Sequence, residues 1–179
     1  LLLRPVSQTQ KGWLTLMMAG AVRQMVETFA PDANPRIKWP NDVLTSERKL
    51  SGILARAIGD EVILGVGINL KTQALAPETA IALEELGVDA SFDDVLLEVL
   101  TQFRARYENF QSDPVWAVEN CANEFREFSS TLGSKVAALL PSGETIRGEA
   151  IDIDASGNLL IQNDRIHVIS AGDIVHLRN

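Results

Sequence analysis

The feature that most constrains this chain is a pair of apolar runs joined by Gly59-Asp60. Residues 49–58 and 61–70 both read as strands, and a two-residue Gly-Asp connection between such runs is a strong β-hairpin signal. The pairing places two unusual clusters on adjacent strands. One strand begins with Lys49 and continues Leu50-Ser51-Gly52-Ile53-Leu54; the other carries Gly65-Val66-Gly67-Ile68-Asn69. A lysine facing a core needs an anionic partner, supplied by the protein or by a ligand, because an unpaired buried charge is costly. Glycine at alternate positions strips one face of a strand of side chains and weakens it, which a close-lying ligand or backbone ordinarily offsets. Tight packing against a helix explains the glycines nearly as well.

The flanking periods frame this hairpin. Leu14, Met17, Met18, Ala21, Val22, Met25, Val26 and Phe29 form one apolar helical stripe, closed by Pro31. A short strand over 36–39 and a Pro40-Asn41-Asp42 turn follow. Residues 79–86 read as a short helix stopped by Gly87. Ser91 with Asp94 resembles a capping box, opening a helix with the stripe Phe92, Val95, Leu96, Val99, Leu100, Phe103, Tyr107 and Phe110. Asp113-Pro114 starts another, carrying Val115, Val118, Cys121, Ala122 and Phe125. From Lys135 the period becomes strand-like: 136–140, 145–153, 158–162, 166–170 and 174–177 are short strands separated by tight turns, as in a small barrel or sandwich. The architecture predicted is α+β over residues 1–132, followed by a small all-β unit over 133–179.

Composition excludes several function classes. With 46% hydrophobic and 22% charged residues the chain is an ordinary globular one, and its net charge of −8 argues against a dedicated nucleic-acid surface. One cysteine, Cys121, rules out an internal disulfide framework and fits a reducing, cytoplasmic compartment. The apolar start, residues 1–3, is too short for a signal peptide or membrane span and lacks an initiating Met, so the numbering is expected to begin inside a longer protein. There is no phosphate loop and no nucleophile elbow. His167 and His176 have no metal-ligand spacing and are expected to be partly exposed strand residues; no metal site is predicted. Cys121, Trp13, Met17, Met18 and Met25 read as core.

Two stretches resist a purely structural reading, and their residues carry a resemblance. Lys38-Trp39-Pro40-Asn41-Asp42 is similar to the K-W-P-N-D signature of biotin protein ligases. Residues 49–54 match their K-[LI]-[AS]-G-[IV]-L segment, and 65–69 match their G-x-G-[IL]-N segment, in order. The resemblance implies a class II aminoacyl-tRNA synthetase-like catalytic domain with a mixed or antiparallel sheet, truncated at its N-terminus, then an SH3-like β-barrel. It implies that biotin and ATP, with Mg2+, give biotinyl-5'-AMP, and that biotin passes to a lysine of a biotin carboxyl carrier protein. Lys49 would contact the biotin carboxyl oxygen and the phosphate, where a cation offsets the repulsion of two anions. Gly52, Leu54 and Gly65 would line biotin; Gly67 and Asn69 would lie nearer the adenylate. Asp42 would orient or deprotonate the acceptor lysine. Lys38, at the rim, would contact phosphate or carrier.

The family's G-R-G-R-x-G-R loop and its Ser-Thr segment do not occur in this sequence. The chain is therefore expected to hold part of the site and to have little or no ligase activity alone. The sheet edge at 65–70 is a candidate surface for a homodimer; contact with membrane, or with nucleic acid through this chain, is not expected. The alternatives are a lipoate or octanoyl ligase, or a non-catalytic binding or regulatory fragment.

Overall fold

Two five-stranded sheets and three α-helices carry the chain in a computed structural model that describes residues 1–6, 11–74 and 77–177. The hairpin forms as its turn residues require: β4 (Arg48–Ile58) returns as β5 (Glu61–Ile68) through Gly59, whose φ of 57° suits a residue without Cβ. Ile58 pairs with Glu61, Leu54 with Gly65 and Gly52 with Gly67. Beyond β5 lies β1 (Leu2–Leu3); beyond β4 lie β3 (Asp42–Thr45) and β2 (Arg36–Lys38). The order is β1-β5-β4-β3-β2, and every neighbouring pair is antiparallel.

One face of this sheet is covered by α1 (Trp13–Phe29). Its stripe buries Leu14, Met17, Met18, Met25 and Val26 with Ile37, Val43, Leu50, Ile53, Val62 and Leu64. Each such side chain contributes about 1.5–3 kcal/mol of burial free energy, so tertiary packing and not helix propensity holds α1 in place. Two further helices flank it. α2 (Phe92–Ser112) starts at Ser91, whose Oγ accepts the Asp94 N–H at 3.2 Å while Asp94 takes the Ser91 N–H at 3.1 Å. α3 (Pro114–Phe128) is capped by Asp113, which accepts the Trp116 N–H. Where the three helices meet, Arg23 is buried and bonded to Glu27 and Glu124 over the ring of Phe128, and Glu124 also pairs with Arg106. Gly20 leaves room for that carboxylate; a Cβ there would lie 2.8 Å from Glu124 Oε2.

The second sheet comprises β6 (Lys135–Leu139), β7 (Thr145–Ile153), β8 (Leu159–Gln162), β9 (Ile166–Ile169) and β10 (Asp173–His176), in the order β10-β6-β7-β8-β9 and antiparallel throughout. Its inner residues Val136, Ala150, Leu159 and Ile161 join the same apolar core as α1. The α+β class and the run of five short strands agree with the sequence reading.

Several details differ from it. Residues 79–82 are not helical. Lys49 donates its backbone N–H to Thr79 O, and Ile81 donates to Lys49 O, so this segment lies along β4 and only Leu83–Leu86 turn as a 3-10 helix. Pairing with an open strand edge has overridden local helix propensity. The turn at 40–42 ends one residue early, because Asp42 already opens β3. The apolar stripes are also narrower than read: Phe92 and Val115 lie on the solvent sides of the first turns of their helices, 64% and 72% exposed. His167 and His176 are both partly exposed strand residues, and Cys121 is buried, with desolvation pushing its thiol far above the usual range.

Candidate functional site

Opposite α1, the first sheet presents a face with few side chains. Pairing register decides who stands on it, since directly paired residues share a face. One row across four strands runs Lys38, Asp42, Gly52, Gly67; the next pairs Leu54 with Gly65. Residues between these rows, Ile37, Val43, Ser51 and Ile53, point the other way and are buried. The four glycine and leucine positions 52, 54, 65 and 67 thus form one floor.

Period-2 reasoning places Lys49 with Ser51 and Ile53, facing the core. The structure corrects this. The β3–β4 register shifts between Val43 and Leu44: Val43 pairs with Ser51, Leu44 with Lys49, and Leu50 is the extra residue. A bulge of one residue reverses the alternation. Leu50 and Ser51 are consequently both buried, while Lys49 emerges on the glycine face. Its anionic partner is Asp42, with Nζ and Oδ1 2.6 Å apart and side chains 49% and 17% exposed. The approach is off the hydrogen-bonding angles, so the buried Oδ1 has no aligned donor. Gly52 makes the contact possible. A Cβ there would meet Lys49 Cε at 3.1 Å and Nζ at 3.2 Å, across the path the side chain takes to Asp42.

Gly65 and Gly67 are different. An added Cβ would find only Leu54 O at 3.8 Å or Gly52 O at 3.9 Å, both ordinary contacts. Among the described residues no helix packs on them, so packing there does not explain this Gly-x-Gly pattern. Leu54 stands beside them 75% exposed. Asn69, just past β5, donates from Nδ2 to the carbonyls of Lys49 and Ile81, at 3.2 and 3.1 Å. It therefore ties the 79–83 segment to the start of β4, a structural task the sequence did not show. The outer edge of β5 is covered by β1 only at Val62 and Ile63, with a further bond from Leu64 N–H to Leu1 O, leaving 65–68 without a strand on that side among the described residues.

The residues of the 38–42 turn are held from three directions. Asn41 Nδ2 donates to Ile53 O at 2.8 Å, and Ile53 N–H donates back to Asn41 O. The Trp39 backbone N–H donates to Thr131 Oγ1, and its indole N–H to Gly157 O. The Trp39–Pro40 peptide is cis. Trp39 and Asn41 lie in the 38–42 motif, where the sequence assigns them no role of their own, and Thr131 is a site residue by position that sequence reasoning did not single out. Their signal, a polar group inside an apolar context, is too common to stand out alone.

Chemically, the arrangement offers a flat backbone floor for an uncharged ring system, with an ammonium–carboxylate pair at one end. A partly exposed ammonium there can receive a carboxylate or a phosphate, and the carboxylate it leaves can accept a proton or orient an amine.

Comparison with known proteins agrees with this layout. The model for the biotin/lipoate A/B protein ligase family matches residues 3–72, which hold every element of the glycine face. The model for the biotin protein ligase C terminal domain matches residues 131–177, the second sheet. The chain is 40% identical over 175 residues to the biotin--[acetyl-CoA-carboxylase] ligase of Mycobacterium tuberculosis, covering 93% of this chain and 63% of that protein. It is 31% identical to the bifunctional ligase/repressor BirA of Bacillus subtilis over 97% of this chain and 56% of that one. It thus spans less than two thirds of the length of these relatives. Among solved structures, the biotin protein ligase from Aquifex aeolicus in complex with biotin and ATP superposes with a TM-score of 0.82 at 28% identity, covering 99% of this chain and 76% of the other. Matches at both ends, a relative 40% identical along almost the whole chain, and the shared fold place this chain in the biotin protein ligase family.

Proposed function

We propose that this chain supplies the lysine side of the biotinyl-adenylate site of an ATP-dependent biotin--[carboxylase carrier protein] ligase. The observation that carries the reading is the floor of Gly52, Leu54, Gly65 and Gly67 beside the Lys49–Asp42 pair, since nothing among the described residues packs closely on Gly65 or Gly67. Biotin lies with its rings on the floor and its carboxylate toward Lys49. In the first step a biotin carboxylate oxygen attacks the α-phosphorus of ATP, and the bond to the departing pyrophosphate breaks. Lys49 turns from Asp42 to the two approaching anions and offsets their repulsion. In the second step the carrier lysine, as a free amine, attacks the acyl carbon and AMP leaves. Asp42, released by Lys49, orients that amine or takes its proton.

Gly67 lets the adenylate lie close to the backbone. Asn69 has its Nδ2 committed to two carbonyls, which leaves Oδ1 as its polar contact for the nucleotide. Lys38, in the same row as Asp42, meets phosphate or carrier at the rim. Mg2+ enters with the ATP phosphates. Residues 1–132 act as the ligase unit and 133–179 as an SH3-like unit, in a cytoplasmic protein. The partner is a biotin carboxyl carrier domain of a carboxylase, and a homodimer would use the open edge of β5. The family model over 3–72 spans lipoate ligases as well, but the biotin-specific C-terminal match favours biotin.

Calorimetric titration with biotin, lipoate and ATP tests the reading. Biotin and ATP are expected to bind the unsubstituted protein, and Lys49→Ala to abolish adenylate binding. Binding of lipoate in place of biotin, or of neither, would refute it.

A further inference from the structure

The second sheet reaches the site through the turn between β7 and β8. Asp154 organises that turn: its Oδ1 accepts the N–H groups of Ser156 and Asn158 at 2.8 and 3.0 Å, and its Oδ2 accepts Asn158 Nδ2 at 2.9 Å. The backbone closes it further, with Gly157 donating to Asp154 O and Asp154 to Asn158 O. A side chain with every one of these bonds fixes the direction of the carbonyls it encloses. Two of those carbonyls receive buried indoles. Trp13 Nε1 donates to Ala155 O at 2.9 Å, and Trp39 Nε1 donates to Gly157 O at 3.0 Å.

The two bonds look equivalent and serve different places. Trp13 begins α1, whose first turn contributes nothing to the glycine face. Trp39 lies between Lys38 and Asp42, and the Asn41–Ile53 exchange of hydrogen bonds ties its turn to the floor strand. We infer that Asp154 and Trp39 are positioning residues: through the bond from the Trp39 indole to Gly157 O, the β7–β8 turn of the second sheet sets where Asp42 and Lys38 stand. This rests on the ligase reading above for its catalytic consequence, though not for its structural one. It gives the second sheet a task at the reacting groups while it contributes no side chain to the floor. It also separates the two halves of the site: Gly52, Leu54, Gly65 and Gly67 belong to β4 and β5, which keep their own ladder and meet this bond only through the Asn41–Ile53 exchange.

The test compares Trp39→Phe, Asp154→Ala, Asp154→Asn and Trp13→Phe in the full ligase. The first readout needs no ligand: amide hydrogen exchange at Ile53, whose N–H is held by Asn41 O. The second is biotin transfer, resolved into kcat and KM for biotin. Trp39→Phe and Asp154→Ala are each expected to speed exchange at Ile53 by about tenfold and to lower kcat by about tenfold, the size of one lost hydrogen bond. KM for biotin should stay within about twofold, since uniform binding to the floor is untouched. Asp154→Asn keeps Oδ1 as an acceptor and should restore most of both. Trp13→Phe should lower Tm while leaving exchange at Ile53 and kcat as they were.

If Trp13→Phe and Trp39→Phe change exchange and kcat alike, or Asp154→Ala changes neither, the bond only glues the sheets together and the inference falls. Should Trp39→Phe not fold, the two Asp154 variants decide alone. Absence of biotin transfer by the unsubstituted full ligase would overturn the ligase reading, and exchange at Ile53 would still decide the coupling.

Discussion

Replacing Gly67 by Ala separates a packing role from a ligand role in one experiment. The position has extended backbone within β5, and the new Cβ would meet nothing closer than Gly52 O at 3.9 Å. The folded state therefore accepts it without strain, while the unfolded chain loses freedom. Such Gly→Ala changes stabilise by about 0.4–1 kcal/mol. For a domain of this size that raises Tm by about 1–4 °C. The same methyl rises into the space where a ring system would lie, and a misfit of this kind costs at least about tenfold in affinity, or 1.4 kcal/mol. Gly65→Ala should behave in the same way, its Cβ meeting only Leu54 O at 3.8 Å. Gly148→Ala is the contrast. There the Cβ would fall 2.4 Å from Gln162 O, so Tm should drop with biotin binding intact. Differential scanning calorimetry and isothermal titration with biotin give both numbers. A fall in Tm for Gly67→Ala, or a rise with unchanged biotin affinity, would refute the argument that these glycines are kept open for a ligand.

Other expectations follow from the same geometry. Lys49→Ala should change unfolding free energy by less than about 1 kcal/mol, because half-exposed ion pairs contribute little, and yet abolish adenylate formation; a large urea-midpoint shift would mark the pair as structural. Arg23→Met removes the cation that Glu27 and Glu124 share, and since that site is buried it should cost about 3 kcal/mol by urea unfolding. Burial, with Lys38 adding to it and Glu47 opposing, holds the His176 imidazole below its usual range. Its neutral form is thus favoured by the fold. The contribution to stability is full above the ordinary value of about 6.5 and is lost as pH falls through the lowered one. Between pH 8 and pH 5, Tm should fall less in His176→Gln than in the unsubstituted protein. Iodoacetamide should leave Cys121 unmodified in the folded protein and alkylate it in urea, as its desolvated thiol resists ionisation.

The sequence revealed elements whose signals are local and strong. The Gly59-Asp60 turn, the Ser91–Asp94 box and Asp113-Pro114 each fix an end of an element through its own hydrogen bonds or φ, and each forms in place. The stretches that failed are those decided by distant partners. Residues 79–82 look helical in isolation, but β4 offers an unpaired edge that they fill. Lys49 was identified as needing an anion, and the structure supplies Asp42, seven positions away and across a strand pair. Simple alternation turns it the wrong way because the count of residues changes at Leu50. The Asn69 amide also holds two carbonyls through Nδ2, a task that no local rule in the sequence reveals. The Trp39 indole donates to Gly157 O, in the turn that Asp154 organises, across more than a hundred positions and beyond any window of sequence.

The extra residue in β4 sets a rule for which lengths of this segment work. Leu50 sits between a charge that must reach solvent and a serine and isoleucine that must not. Strict alternation through Leu50, without the bulge, would carry the ammonium through the sheet to the α1 side, among Met17, Leu64 and their neighbours. Deleting Leu50 would set Lys49 beside Ser51 and keep the ammonium on the glycine face, but at the loss of a fully buried side chain. A change of length is absorbed by solvent at the β4–β5 turn, whereas in the six residues from Lys49 to Leu54 the parity of the count decides which side chains face the core.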